Sequence, residues 1–140
     1  MGMLVRAAAI IIGLLWCIFN GARCAPARRL DETLLSCICN GQQFSDEQWG
    51  KNRAYVLKQL VKVTPEVGFN YYVRSQASDH IVYGHAACNG ERSKQYCQAC
   101  LDFSVDQIRN QCSQKSIGAQ VHLRDCRLRK TCARKELKAI

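Results

Sequence analysis

Ten cysteines in 140 residues are the side chains best placed to do chemistry. Cys97-Gln98-Ala99-Cys100 has the spacing of a redox dithiol, whose thiols exchange disulfides when their pKa values are depressed at a helix tip. Here Cys97 falls about one turn inside a predicted helix, no strand-helix-strand unit surrounds it, and six other cysteines beyond the N-terminal apolar segment compete as partners. Disulfide exchange is therefore not expected. Zinc would need a second CxxC or a paired His-x₃₋₅-His. His80 and His85 are predicted on a turn and a strand as surface side chains, and His122 on another strand in a structural role. No GxSxG or HExxH nucleophile or metal setting is present. The acidic residues sit mainly in helix starts and turns, where carboxylates serve as caps. The reading is a binding protein rather than an enzyme, with no metal and no cofactor.

The compartment follows from the N-terminus. Arg6 precedes an apolar run from Ala7 to Phe19, too short to span a membrane but suited to the core of a signal peptide. Ala22 and Cys24 place small residues for cleavage after Cys24, giving a signal peptide over 1–24 and a secreted, extracellular (apoplastic) product. No second apolar segment, lipid-anchor tail or Asn-x-Ser/Thr acceptor follows. Cys17 and Cys24 leave with the signal. Eight cysteines remain in a single small domain, an even number that predicts a disulfide framework. Spacing alone leaves about 105 pairings open.

Several elements must position these cysteines. Residues 25–33 read as a solvated leader and Leu34 to Cys39 as a strand with Cys37 and Cys39 on one side. Ser45-Asp46-Glu47-Gln48 opens a helix over about 45–62, with Trp49, Val56, Leu57 and Leu60 at helical spacing, ended by Thr64-Pro65. Phe69 to Arg74 and Ile81 to Ala87 read as strands joined through Ala77-Ser78-Asp79-His80. Ser93 caps a second helix whose face carries Cys97, Cys100, Leu101, Val105, Ile108 and Cys112. Ala119 to Leu123 and Arg127 to Lys130 complete a β-α-β-β-α-β-β order. That order predicts an α+β fold with two helices on an antiparallel sheet.

Charge adds a second expectation. Without Arg6 and Arg23 the chain keeps 18 basic against 11 acidic residues, a net +7. Much of the excess lies in Arg124, Arg127, Arg129, Lys130, Arg134, Lys135 and Lys138, the last three in a basic tail over 133–140. Such a cluster predicts anionic partners, among them phospholipid head groups, acidic wall polymers and nucleic acid.

The longer pattern is C-x₈-C-x₂-C over Cys88, Cys97 and Cys100. It is preceded by Tyr83-Gly84 and followed by Cys112, Ile117-Gly118-Ala119 and Asp125-Cys126, with Cys39-Asn40 upstream. It resembles the ginkbilobin-like domain of plant cysteine-rich secretory proteins, a module also found in the ectodomains of cysteine-rich receptor-like kinases and plasmodesmata-located proteins. The likeness covers the domain over 34–132. It implies a five-stranded antiparallel sheet with two helices and the pairs Cys39–Cys112, Cys88–Cys97 and Cys100–Cys126. In the loop-entropy view these bridges contribute roughly 4.4, 2.6 and 3.5 kcal/mol, an upper figure because the loops overlap.

Cys37 and Cys132 lie outside the six-cysteine framework. A fourth bridge between them is expected, with an intermolecular link as the alternative. The resemblance further implies an antifungal defence protein that binds mannose through an Asn, an Arg and a Glu. Those positions fall on Asn40, Gln120 and Thr131, so one of the three matches. The alternative is an extracellular protein–protein interaction module without sugar affinity.

Overall fold

A computed structural model describes residues 29–133. The expected signal peptide and the tail with Arg134, Lys135 and Lys138 lie outside the described residues. The elements are β1 (Leu34–Cys39), α1 (Glu47–Val63), a 3₁₀ turn (Thr64–Glu66), β2 (Asn70–Arg74), β3 (Val82–Cys88), α2 (Lys94–Gln111), β4 (Gly118–Leu123) and β5 (Cys126–Cys132). They occur in the predicted order, and the five strands form one antiparallel sheet in the order β1-β4-β5-β3-β2.

Local chemistry accounts for the boundaries. Asp46, not Ser45, caps α1, accepting from the Gln48 amide at 2.8 Å. Ser93 caps α2 and accepts from Tyr96 N at 3.1 Å. Both satisfy amides that a helix start leaves orphaned. Phe69 is not in β2: with Gly68 it adopts a left-handed turn, φ 63° and 81°, which reverses the chain after the 3₁₀ turn. The stretch expected as a solvated leader is partly docked. Leu30 packs on the core, and the Asp31 amide donates to Tyr96 Oη at 2.9 Å.

Strand alternation decides which side of the sheet is covered. In β5 the buried residues alternate with exposed Arg127, Arg129 and Thr131. β4 buries Ala119, Val121 and Leu123, and β3 buries Val82, Gly84 and Ala86. Both helices pack on this inner face, α1 through Val56, Leu57 and Leu60, α2 through Cys97, Cys100, Leu101, Val105 and Ile108. Among the described residues nothing covers the outer face.

Gly84 sets how closely α1 approaches. A Cβ built there would lie 2.5 Å from Val56 Cγ1 and 2.8 Å from Leu60 Cδ1. Overpacking of this kind costs about 1–3 kcal/mol. Gly84→Ala is thus expected to destabilise by about 2 kcal/mol, read as a lower denaturation midpoint at an unchanged denaturant slope. An unshifted midpoint would mean that α1 sits farther from the sheet.

The sulfurs fix the rest. Cys39 is bridged to Cys112, Cys88 to Cys97 and Cys100 to Cys126. Each cysteine of the CxxC step is therefore spent in a separate bridge. The bridge expected between Cys37 and Cys132 does not form; both are free thiols. Register explains why. Cys37 pairs with Val121, which pairs with Leu128, four residues before Cys132 on β5. Two strand spacings and four residues separate the two Cα atoms by roughly 16 Å, against about 7 Å at most for a disulfide. Cys37 instead has its sulfur within 4.8 Å of the Cys39 and Cys112 sulfurs. Burial raises the pKa of both free thiols, at Cys132 against the opposing pull of Lys130 and Arg53. Alkylation of the folded protein should mark Cys37 slowly and spare buried Cys132, which reacts on unfolding without reduction. A peptide pair joining Cys37 to Cys132 would contradict the register.

Candidate binding site

Asn40, Gln120 and Thr131 stand at neighbouring positions on adjoining strand ends, at one end of the open face. Asn40 follows β1, and its amide donates to the Gly118 carbonyl at 2.8 Å. Gly118 is in register with Thr131, and Gln120 stands two residues further along β4, paired with Ile38 on one side and Arg129 on the other. Three adjoining strand ends thus carry the three residues, and backbone pairing rather than a Cys37–Cys132 bridge brings them together. A Cβ at Gly118 would lie 3.4 Å from Asn40 Cβ, so the glycine of the Ile-Gly-Ala step lets the Asn40 turn sit close against β4. Asn40 Oδ1 accepts from Gln42 N at 2.9 Å. That turn leaves Nδ2 as its outward donor. Gln120 and Thr131 are exposed and can each donate and accept.

A buried node supports this rim. Ser116 Oγ lies 2.6 Å from the Asn40 carbonyl and 2.7 Å from that of Gly118, and Lys130 Nζ donates to the Ser116 carbonyl. Lys130 was expected among the exposed cations of an anion-binding cluster. It is 1 % exposed and points inward, because β5 alternates and its even-numbered positions face the core. Desolvation lowers its pKa to about 8, against a raising influence from Cys132 and a further lowering one from Arg53.

The other predicted cations divide as well. Arg124 is exposed but pairs with Asp31 at 3.2 Å. Arg127 and Arg129 do reach the open face, and neither has an acidic partner among the described residues. His122 is exposed on this face, whereas His80 is not the surface residue expected. It is largely buried beneath Trp49, edge-on at 5.1 Å, with Asp46 and Asp79 at 3.0 and 3.1 Å.

Tyr72 and His85 were not anticipated as neighbours of the arginines. They stack at 3.9 Å between ring centroids, and His85 Nε2 lies 2.7 Å from Asn70 Oδ1. The available signal was the alternation of Cys126-Arg127-Leu128-Arg129-Lys130-Thr131-Cys132, which puts Arg127, Arg129 and Thr131 on one face and Lys130 on the other. At the opposite end of the sheet, Asp125 accepts from Asn89, Arg92 and Tyr96 at 3.0–3.1 Å. Burial alone would raise its pKa, but these hydrogen bonds and the Arg92 charge outweigh it and leave it lowered. This is a structural node.

Residues 36–132 match the family described as salt stress response/antifungal, and the chain belongs to that family. It is 33% identical over 99 residues to the antifungal protein ginkbilobin-like protein 2 of Picea glauca, covering 69% of this chain and 74% of that protein. To cysteine-rich repeat secretory protein 55 of Arabidopsis thaliana it is 30% identical over 101 residues, covering 71% of this chain and 38% of that one. The tandem DUF26 ectodomains of the Arabidopsis thaliana cysteine-rich receptor-like proteins PDLP5 and PDLP8 share its fold, with TM-scores of 0.64 and 0.62 at 20% and 27% identity. The alignments cover 71% and 76% of this chain but 49% and 48% of those ectodomains. The chain thus spans little more than a third of the repeat protein and about half of each ectodomain. Among the described residues no helix is long and apolar enough to cross a membrane.

Proposed function

We propose that this chain is a secreted, non-catalytic defence protein that recognises carbohydrate through the Asn40–Gln120–Thr131 rim. The observation that supports the reading most is the register that sets three polar residues on three adjoining strand ends of an exposed patch. Vicinal sugar hydroxyls need such a set of mixed donors and acceptors. The Picea glauca relative is named as an antifungal protein, which supports a role at a fungal or plant wall surface. Gln120 and Thr131 are neutral and cannot make the charge-assisted bonds of an Arg or a Glu, so affinity for a mannose-type sugar is weak.

Calorimetry against a mannose oligosaccharide tests the rim. The unmodified domain should bind weakly, Asn40→Ala should abolish the signal, and Gln120→Arg with Thr131→Glu should tighten binding by about tenfold or more. Charged hydrogen bonds contribute roughly 1.5–3 kcal/mol each when shielded, and less at an exposed rim. No binding by either form, with the fold intact, would remove the sugar reading and leave a protein-interaction module in its place.

A further inference from the structure

We infer that the open sheet face beside this rim takes an acidic polysaccharide, a uronate-type chain whose carboxylates engage Arg127 and Arg129 and one of whose rings lies over Tyr72 and Tyr83. The inference rests on the carbohydrate reading and names the chemical class of its ligand. The outward positions follow from register. One row across the sheet is Ile38, Gln120, Arg129, His85 and Tyr72; the next toward the rim is Gly118, Thr131, Tyr83 and Arg74; the next the other way is Ser36, His122, Arg127, Ala87 and Asn70. Three arginines and two histidines stand on this face, and among the described residues no acidic one does. A solvated face kept soluble by charge ordinarily mixes both signs. Here only one sign is present, and charge complementarity selects an anion.

The shape narrows the class. Tyr72, Tyr83, His85, Arg129 and Thr131 line a hollow of about 360 Å³, at the small end of ligand sites. Thr131 is common to this hollow and to the neutral rim, so one chain can occupy both. Tyr72 is 70% exposed and offers one ring face, the other being covered by His85. A single-stranded nucleic acid needs aromatic faces for successive bases; with one side of Tyr72 covered by His85, only the outer side of Tyr72 and the neighbouring Tyr83 remain, too few for a run of bases. A uronate needs less: a flat ring surface beside guanidinium groups that donate to a carboxylate in a planar fork. The two arginines also act on their neighbour. Burial first, then Arg127 and Arg129, hold the His85 imidazole below its ordinary pKa, while Tyr72 and Asn70 face it from β2.

The test is calorimetry on the intact, oxidised protein with four probes: a soluble oligogalacturonate, the same chain fully methyl-esterified, a neutral mannan, and single-stranded DNA of matched charge. The oligogalacturonate should bind. Methyl-esterification, or Arg127→Gln with Arg129→Gln, should weaken it about tenfold or more, with mannan binding and the denaturation midpoint unchanged in the variant. Equal binding of the ester, or of the acid by the arginine variant, would overturn the inference. So would DNA bound as tightly as the oligogalacturonate, which would reveal a general polyanion surface. Mannan bound through Asn40 with no response to oligogalacturonate would leave the proposed function standing and remove this inference. Silence from both sugars would remove both.

Discussion

Replacing Cys39 and Cys112 together by serine is expected to lower the unfolding free energy by about 4 kcal/mol, the largest effect of any change considered. The bridge closes a separation of 73 residues, for which the loop-entropy view gives roughly 4.4 kcal/mol. Domains of this kind have a total of about 5–15 kcal/mol. The bridge also anchors an edge. Among the described residues β1 pairs only with β4, and it exposes Leu35 and Ile38, so it has little burial of its own to hold it. Cys39→Ser alone should cost much less, because the Cys37 sulfur lies within 4.8 Å of Cys112 and can take over as its partner. Non-reducing denaturation curves of Cys39→Ser with and without Cys37→Ser measure this directly. Equal midpoints for the two would show that Cys37 does not capture Cys112.

Lys130→Met is expected to stabilise the domain, by about 2 kcal/mol at pH 6. Lys130 is buried with a backbone carbonyl as its acceptor, and its folded pKa is about 8 against an ordinary 10.5. Below pH 8 both folded and unfolded chains carry the charge, and the folded state bears the full desolvation cost, on the order of 3 kcal/mol. Between pH 8 and 10.5 the unfolded chain binds the proton more tightly, so this residue's contribution makes stability rise with pH. Above 10.5 the cost is gone. Lost bonding to Ser116 offsets about 1 kcal/mol of the gain. The advantage of the Met variant should therefore fade between pH 8 and 10.5. The two free thiols, whose folded pKa values are raised, oppose that slope in the parent, so the variant-minus-parent difference is the quantity to follow. A variant less stable at pH 6 would show that the Lys130 hydrogen bond outweighs its burial. Because Lys130 and Ser116 hold the Asn40 turn, the same change should weaken sugar binding while it stabilises the fold.

Much of this fold is legible in the chain because its signals are local. Asp46 and Ser93 lie where a capping side chain is needed, the helical faces repeat at 3–4 residues, and Thr64-Pro65 ends α1. The Tyr83-Gly84 and Ile117-Gly118-Ala119 motifs have a spatial meaning that periodicity does not reveal: Gly84 admits α1 to the sheet, and Gly118 admits the Asn40 turn. What escaped the sequence is what depends on strand order. Proximity of Cys37 and Cys132 to the two terminal strands suggested a bridge, yet β1 and β5 are separated by β4. Composition groups Lys130 with Arg127 and Arg129, although the alternation of β5 turns it inward. The Tyr72–His85 stack joins β2 to β3 beside arginines more than 40 positions later, and its place on the same face as Arg129 follows only from the β3–β5 register.

The alternative location for a ligand is the groove between α1 and α2, about 1160 Å³ and bordered by Lys58, Lys62, Asp102 and Asp106. Its charges are mixed and partly paired, as in the 3.2 Å contact of Arg109 with Asp106. Amide NMR during a titration with oligosaccharide separates the two places most directly. Recognition through the open face predicts shifts concentrated at Asn40, Gly118 to His122, Arg127 to Thr131 and Tyr83 to His85, with α1 and α2 unmoved. Shifts confined to Ala54–Lys62 and Gln98–Arg109, or none at saturating sugar, would contradict it.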